Sequence, residues 1–302
     1  MSTTTLTLTD GRTGRFARLA DYFELAKPRI AALVLVAVAV SYSVALWGQP
    51  NPWILLHLLF GTALVATSAS TLNQWLERNR DALMPRTADR PLAAGRLGAT
   101  ETIVFACLTI VIGVSYLAIT IGLPTAGWAG LSWLLYVWVY TPLKTRTSLN
   151  TVIGAIPGAL PVLIGWSASG AALDLRAASL FLVVFVWQFP HFMAIAWIYR
   201  KQYEAAGMKM LTVVDPSGRW AGVQAMLAAL VLIPVSVVPV LNVPGLGGFL
   251  YAIAACVLGF LQLSCAIAFF AKQQERSARR LLLASLVYLP ALLLLLTIVP
   301  WV

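Results

Sequence analysis

The chain has 302 residues, 60% of them hydrophobic and only 11% charged, with a mean hydropathy of +0.84. Soluble domains carry about 25% charged residues, so this composition excludes a water-soluble globular protein and leaves lipid as the solvent for most of the chain. The net charge of +10 would suit nucleic acid in a soluble protein; here the bases are read as holding loops on one side of a membrane, and no nucleic-acid partner is expected.

Residues 1–25 are rich in Thr and Arg but carry Asp10, Asp21 and Glu24, which argue against a transit peptide. They are expected to form a cytoplasmic N-terminal tail running into a short interfacial helix, with residues 26–302 as one all-α integral membrane domain. A bilayer core takes roughly 20 apolar residues per helix. Nine such segments follow, near 30–48, 52–72, 101–121, 124–141, 150–170, 177–199, 220–241, 247–271 and 281–301. Only the tight turn of GLPTAGW precedes the fourth. The cysteines, Cys107, Cys256 and Cys265, lie in apolar runs without a CxxC pair; they are expected to be buried small hydrophobes.

The bases alternate with these segments. Arg12, Arg15, Arg18, Lys27 and Arg29 precede the first. Arg78, Arg80, Arg86, Arg90 and Arg96 follow the second, Lys144 and Arg146 the fourth. Arg200, Lys201, Lys209 and Arg219 follow the sixth, and Lys272, Arg276, Arg279 and Arg280 the eighth. Of the 21 Lys and Arg, only Arg176 falls on the other side. This pattern predicts a cytoplasmic N-terminus and an external C-terminus, with polar chemistry at the cytoplasmic face.

Three stretches carry that chemistry. In the first, Asn73, Glu77 and Asp81 are spaced four apart, so each step along a helix drifts about 40° and all three point to one face. Three oxygen-bearing side chains in a row suit Mg²⁺ bridging to a substrate phosphate. Arg86 and Arg90, also four apart, are candidates to clamp a diphosphate. In the second, Tyr140-Thr-Pro-Leu-Lys144-Thr-Arg146-Thr147, Lys144 and Arg146 offer cationic donors and Thr147 a helix N-cap. Gly154, Pro157, Gly158, Pro161 and Gly165 then suggest a bent helix lining a cavity. In the third, Trp187-Gln188-Phe-Pro190-His191-Phe192, a neutral His191 beside Gln188 offers an iron ligand or a proton carrier; Trp197, Tyr199, Arg200, Lys201, Gln202, Tyr203 and Glu204 follow. His57 has no such company and is read as structural. A transporter relay is the competing reading of membrane-edge acids, but almost no charge lies within the apolar spans.

Together these stretches resemble the protoheme IX farnesyltransferases (heme O synthases), a branch of the UbiA superfamily of intramembrane prenyltransferases. The resemblance runs from Tyr22-Phe-Glu-Leu-Ala-Lys27-Pro28-Arg29 to the ninth helix. Asn73, Glu77 and Asp81 match the superfamily's first acidic motif, with Glu in place of its first Asp; Met84, Arg86, Thr87, Arg90 and Pro91 extend the match, as do Tyr140-Thr-Pro-Leu-Lys144 and Trp187-Gln188-x-Pro190-His191-Phe192. One position departs from the pattern: where an acid is expected before Tyr203 the chain has Gln202, so a second metal-binding region would be built from Glu204, use the Gln202 carbonyl, or hold one metal ion fewer.

The resemblance implies a UbiA-type helical bundle and transfer of the farnesyl group of farnesyl diphosphate to a vinyl group of heme B, with addition of water, giving heme O. It implies Mg²⁺ on Asn73, Glu77, Asp81 and Glu204, with Arg86, Arg90 and Lys144 stabilising the leaving diphosphate. His191, Gln188, Arg146, Arg200 and Tyr203 become the heme-side candidates, with Arg29 or Arg200 on the propionates. It places the enzyme in a bacterial inner membrane, with heme A synthase or oxidase assembly factors as associated partners. A UbiA-type enzyme with a quinone-precursor acceptor and a non-enzymatic heme carrier or transporter are the alternatives.

Overall fold

The computed structural model describes residues 14–241, 243 and 245–302; the first 13 residues of the tail expected over 1–25 lie outside them. α1 (Arg15–Leu25) is the short helix expected before the first span. Phe16, Leu19 and Phe23 are exposed along it at spacings of three and four, while Leu25 is fully buried. Such an apolar stripe suits a helix lying on a membrane surface. Its polar side is tied down by Arg96, whose guanidinium reaches Asp21 at 2.8 Å and Glu24 at 2.7 Å.

Lys27, in the left-handed region at φ 48°, turns the chain into α2 (Pro28–Ala45). Pro28 is the first helical residue, where a missing N–H costs nothing. α3 (Pro52–Asp81) starts under an Asn51 cap and runs 30 residues, about 45 Å. That exceeds the bilayer core, so its last turns carry Asn73, Glu77 and Asp81 to the membrane edge. α4 (Ala99–Thr120) packs back along α3. α5 (Leu123–Leu134) passes without a break into a π-helical segment, Leu135–Tyr140, and one last turn, α6 (Thr141–Leu143). α7 (Asn150–Ala168) contains Pro157 and Pro161, and α8 (Leu175–Ile198) contains Pro190. Two short helices, α9 (Arg200–Ala205) and α10 (Leu211–Val214), precede α11 (Arg219–Val237), α12 (Leu246–Lys272) and α13 (Glu275–Ile298).

Among the described residues, eight helices are long and apolar enough to cross a membrane. Nine segments were expected; the remaining one, near 124–141, is the composite of α5, the π segment and α6. A π turn widens the helix and redirects its end, and here it precedes the polar turn that carries Lys144. The expected N-cap role of Thr147 moves as well. α7 begins at Asn150, and the Thr147 hydroxyl accepts instead from the Leu149 N–H, because the Asn150 amide is held by the Thr147 and Lys209 carbonyls.

Trp166, Tyr251, Tyr288 and Leu292 centre the largest core cluster, which joins α2, α7, α8, α11, α12 and α13. The outward faces carry large apolar side chains such as Val111, Phe249, Phe260 and Leu283, an exposure tolerable only in lipid. Cys107, expected to be buried, is one of these outward residues on α4; a bilayer makes an outward apolar position as stable as an inward one. Arg176, alone at its end of the bundle in the sequence reading, pairs with Asp174 at 3.0 Å and lies over the Trp47 and Trp166 rings.

α2 and α7 touch at Gly165, where a Cβ would stand 2.2 Å from the Val38 carbonyl oxygen, and the Ser41 hydroxyl donates across the same contact to the Val162 carbonyl at 2.6 Å. Small residues at such crossings are how membrane helices approach closely. Gly165→Ala is expected to destabilise the fold by about 1–3 kcal/mol, read as a lower melting temperature of the detergent-purified protein.

Candidate active site

Asn73, Glu77 and Asp81 lie on the inward face of α3, exposed by only 1%, 4% and 1%. Carboxylates are almost never this buried unless paired, and each of these has a cation. The Lys144 ammonium lies 2.8 Å from Glu77 Oε1, close but not aligned as a hydrogen bond. Arg90 Nη1 donates to Asp81 Oδ2 at 2.8 Å. Asn73 takes part as an amide: Lys27 Nζ donates to its Oδ1 at 2.8 Å, and its Nδ2 donates to Thr141 Oγ1 at 3.1 Å. The Thr87 hydroxyl donates to the Asp81 carbonyl at 2.9 Å and so folds the Arg86–Arg90 loop back over the end of α3.

Three cations therefore face two carboxylates. Burial pulls the Lys27 ammonium down to about 7, helped by the charge of Arg90. Burial also acts against the charge on Lys144, but Glu77 and the neighbouring Tyr140 and Tyr136 outweigh it and hold that ammonium above its usual range. A buried cluster with surplus positive charge suits an anion, and ammonium and guanidinium groups are the side chains that bind phosphates.

The oxygen set can also take a hard cation. Asp81 Oδ1 is buried with no hydrogen-bond partner, and so is Gln202 Oε1 on α9. Glu204, the acid expected to contribute to a metal, is exposed. Two residues on a helix differ by about 200° in direction, so when Gln202 turns inward Glu204 turns out. Among the described residues no three His, Cys, Asp or Glu side chains come together; the donors along α3 are the Glu77 and Asp81 carboxylates and the Asn73 amide oxygen, all of the hard type that Mg²⁺ takes.

The remaining expected residues divide. Arg86 does not join Arg90 on Asp81. Its guanidinium lies 4.6 Å from the Tyr199 ring and 4.8 Å from the Tyr203 ring, which brings α9 over the α3 terminus. Arg200 stacks on Trp197 and donates to the Trp197 carbonyl at 2.8 Å. Arg146 is exposed. Both Gln188 amide hydrogens are used within the bundle, on the Ala155 and Val184 carbonyls. His191 is partly exposed, stacks on Trp187 at 4.8 Å and bonds through Nδ1 to Ser285 Oγ at 2.9 Å. It lies seven residues before the end of α8, about 10 Å deeper than that terminus. His57, read as structural, bonds to the Tyr116 hydroxyl away from this cluster.

Sequence reasoning gave Lys27 only a topological role. Its one signal was Lys27-Pro28: a base fixed by a left-handed turn directly before a helix-starting proline. Thr141, Tyr136 and Tyr140 were missed as neighbours of the acids, because the π turn brings them round.

Residues 33–298 match the model of the UbiA prenyltransferase family. The chain belongs to that family. It is 40% identical over 280 residues to a protoheme IX farnesyltransferase of Solibacter usitatus, covering 89% of this chain and 95% of that one. To the protoheme IX farnesyltransferase of Koribacter versatilis it is 36% identical over 302 residues, covering 97% of each. Among solved structures it is similar to digeranylgeranylglyceryl phosphate synthase (TM-score 0.76, 15% identity, 94% of this chain and 98% of that one). It is similar also to a UbiA homologue of Archaeoglobus fulgidus bound to DMAPP and Mg²⁺ (TM-score 0.72, 13% identity, 93% and 99%). The fold is thus that of the UbiA family, and the chain is an intramembrane prenyltransferase and a multi-pass membrane protein.

Proposed function

We propose that this UbiA-family enzyme transfers the farnesyl group of farnesyl diphosphate to a vinyl group of heme B and adds water, giving heme O and diphosphate. The observation that carries the donor half is the buried Glu77–Asp81 pair ringed by Lys27, Lys144 and Arg90. The acceptor half rests on the likeness to curated protoheme IX farnesyltransferases over nearly the whole chain and on a partly exposed His191 inside an apolar helix.

In this reading Lys27, Lys144 and Arg90 receive the diphosphate, and Arg86 closes the site through Tyr199 and Tyr203. Asn73, Glu77, Asp81 and the Gln202 carbonyl hold Mg²⁺, and Glu204 stays in water. Bound there, Mg²⁺ supplies Lewis-acid neutralisation of the leaving group. The C1–O bond breaks with its electron pair leaving on diphosphate, whose charge the three bases stabilise. The Tyr136 and Tyr140 rings stand beside Lys144 and offer π faces to the allylic cation. The terminal vinyl carbon of heme bonds to C1, and water captures the resulting cation next to the porphyrin and loses a proton. The apolar surroundings keep water from the first cation. His191 holds the heme iron deeper in the bundle, while Arg146 and Arg200 are left at the rim near the propionates.

The charge alternation supports a cytoplasmic N-terminus, an external C-terminus and a site open to the cytoplasmic side of a bacterial inner membrane. The product then passes to a membrane enzyme that consumes heme O, such as heme A synthase. Purified protein supplied with Mg²⁺ and farnesyl diphosphate is expected to release diphosphate only when heme B is added. Release supported by a quinone precursor and not by heme would reassign the acceptor. Lys27→Met removes a charged hydrogen bond worth about 1.5–3 kcal/mol. It is expected to raise the KM for farnesyl diphosphate about 10- to 100-fold, measured by the same assay.

A further inference from the structure

Ser285, on α13, is fully buried and joined twice to α8. Its carbonyl accepts from Trp187 Nε1 at 2.8 Å, and its hydroxyl oxygen lies 2.9 Å from His191 Nδ1. The same hydroxyl lies 2.7 Å from the Leu282 carbonyl. A serine hydroxyl has one hydrogen, and a carbonyl has none to give. With that hydrogen on the Leu282 carbonyl, the oxygen meets His191 with a lone pair, and Nδ1 must be the donor. A neutral imidazole carries one N–H, so Nε2 is left with a bare lone pair, and no hydrogen bond to Nε2 occurs among the described residues. Trp187, stacked on the ring at 4.8 Å and bonded to the Ser285 carbonyl, holds the plane in which that lone pair points.

We infer that Ser285 is a positioning residue that locks His191 in the Nδ1–H tautomer, with Nε2 free to ligate the iron of the heme acceptor. The inference rests on the proposed heme substrate and adds to it the residue that makes the ligand competent. An imidazole that binds a metal through one nitrogen is held by a hydrogen bond from the other, and loss of that partner costs about 10- to 100-fold in affinity.

The test is titration of ferric heme B into the purified full-length protein without farnesyl diphosphate, followed by the Soret band and electron paramagnetic resonance. The wild type is expected to give an imidazole-ligated spectrum that His191→Gly loses and added imidazole restores. Ser285→Ala is expected to weaken heme binding by about 10- to 100-fold and shift the spin state. Ser285→Thr, which keeps a hydroxyl that bonds back along the helix, is expected to retain both. Unchanged binding of a non-hydrolysable farnesyl diphosphate analogue shows that the Ala variant is folded. A wild-type spectrum and affinity in Ser285→Ala, with His191→Gly defective, overturns the positioning role and leaves the heme reading intact. Normal binding by His191→Gly removes His191 and Ser285 together, and a wild type that does not bind heme B removes the acceptor itself.

Discussion

Asp81→Asn is expected to lower prenyl transfer on the order of 100-fold or more, the scale of losing a preorganised electrostatic group at a developing charge, while the protein inserts and purifies normally. The substitution keeps the shape and takes away the charge. Asp81 sits at the last turn of α3 with Oδ2 on Arg90 and Oδ1 buried without a partner. Its backbone carbonyl, which accepts from Thr87, is untouched. A neutral amide still accepts from Arg90, so the loop above it stays folded, but the donor set for Mg²⁺ drops to one carboxylate. The measurement is product formation per milligram of inserted protein, with melting temperature as the control for folding. Near-wild-type turnover in a well-inserted variant would remove Asp81 from the metal set.

Lys144→Met is expected to damage both stability and activity, for a different reason. Lys144 is the partner of a carboxylate only 4% exposed. Removing one member of a buried pair leaves an uncompensated charge at a cost of about 3–5 kcal/mol, whereas replacing both is close to neutral. The double variant Lys144→Met/Glu77→Gln is therefore expected to recover most of the lost melting temperature but none of the activity, because it lacks both the diphosphate contact and the metal ligand. A single variant with unchanged melting temperature would contradict the pairing. A double variant that regains turnover would contradict the chemistry.

Much of this was legible in the sequence because it depends on repeat and spacing. Runs of about 20 apolar residues mark bilayer spans, and the four-residue spacing put Asn73, Glu77 and Asp81 on one face of α3. Proximity that depends on turns was less legible. Arg86 and Arg90 share a spacing that would align them on a helix, but residues 82–98 are turns. Arg90 therefore reaches Asp81 while Arg86 is carried to Tyr199 and Tyr203. Lys27 reaches Asn73 only because a left-handed residue breaks the chain between α1 and α2. Gln188 looked like a ligand beside His191; its amide instead ties α8 to α7, a tertiary contact that no local pattern announces. The π turn at Leu135–Tyr140 has no sequence mark, so the single helix expected near 124–141 is instead built from α5, the π segment and α6. Gln202 is visible in the sequence as a departure, but the burial of its Oε1 against the exposure of Glu204 follows from the direction of a helix whose start no local pattern marks.

The most direct test of the central claim is a pigment analysis. The chain is expressed in a bacterium lacking its own heme O synthase, hemes are extracted from the membrane, and each is identified by mass. The expected result is a species heavier than heme B by one farnesyl group plus one water, absent when Asp81→Asn is expressed at the same level. Heme B alone, from well-inserted wild-type protein with farnesyl diphosphate and Mg²⁺ available, would contradict heme as the acceptor and leave a UbiA-family enzyme for another ring.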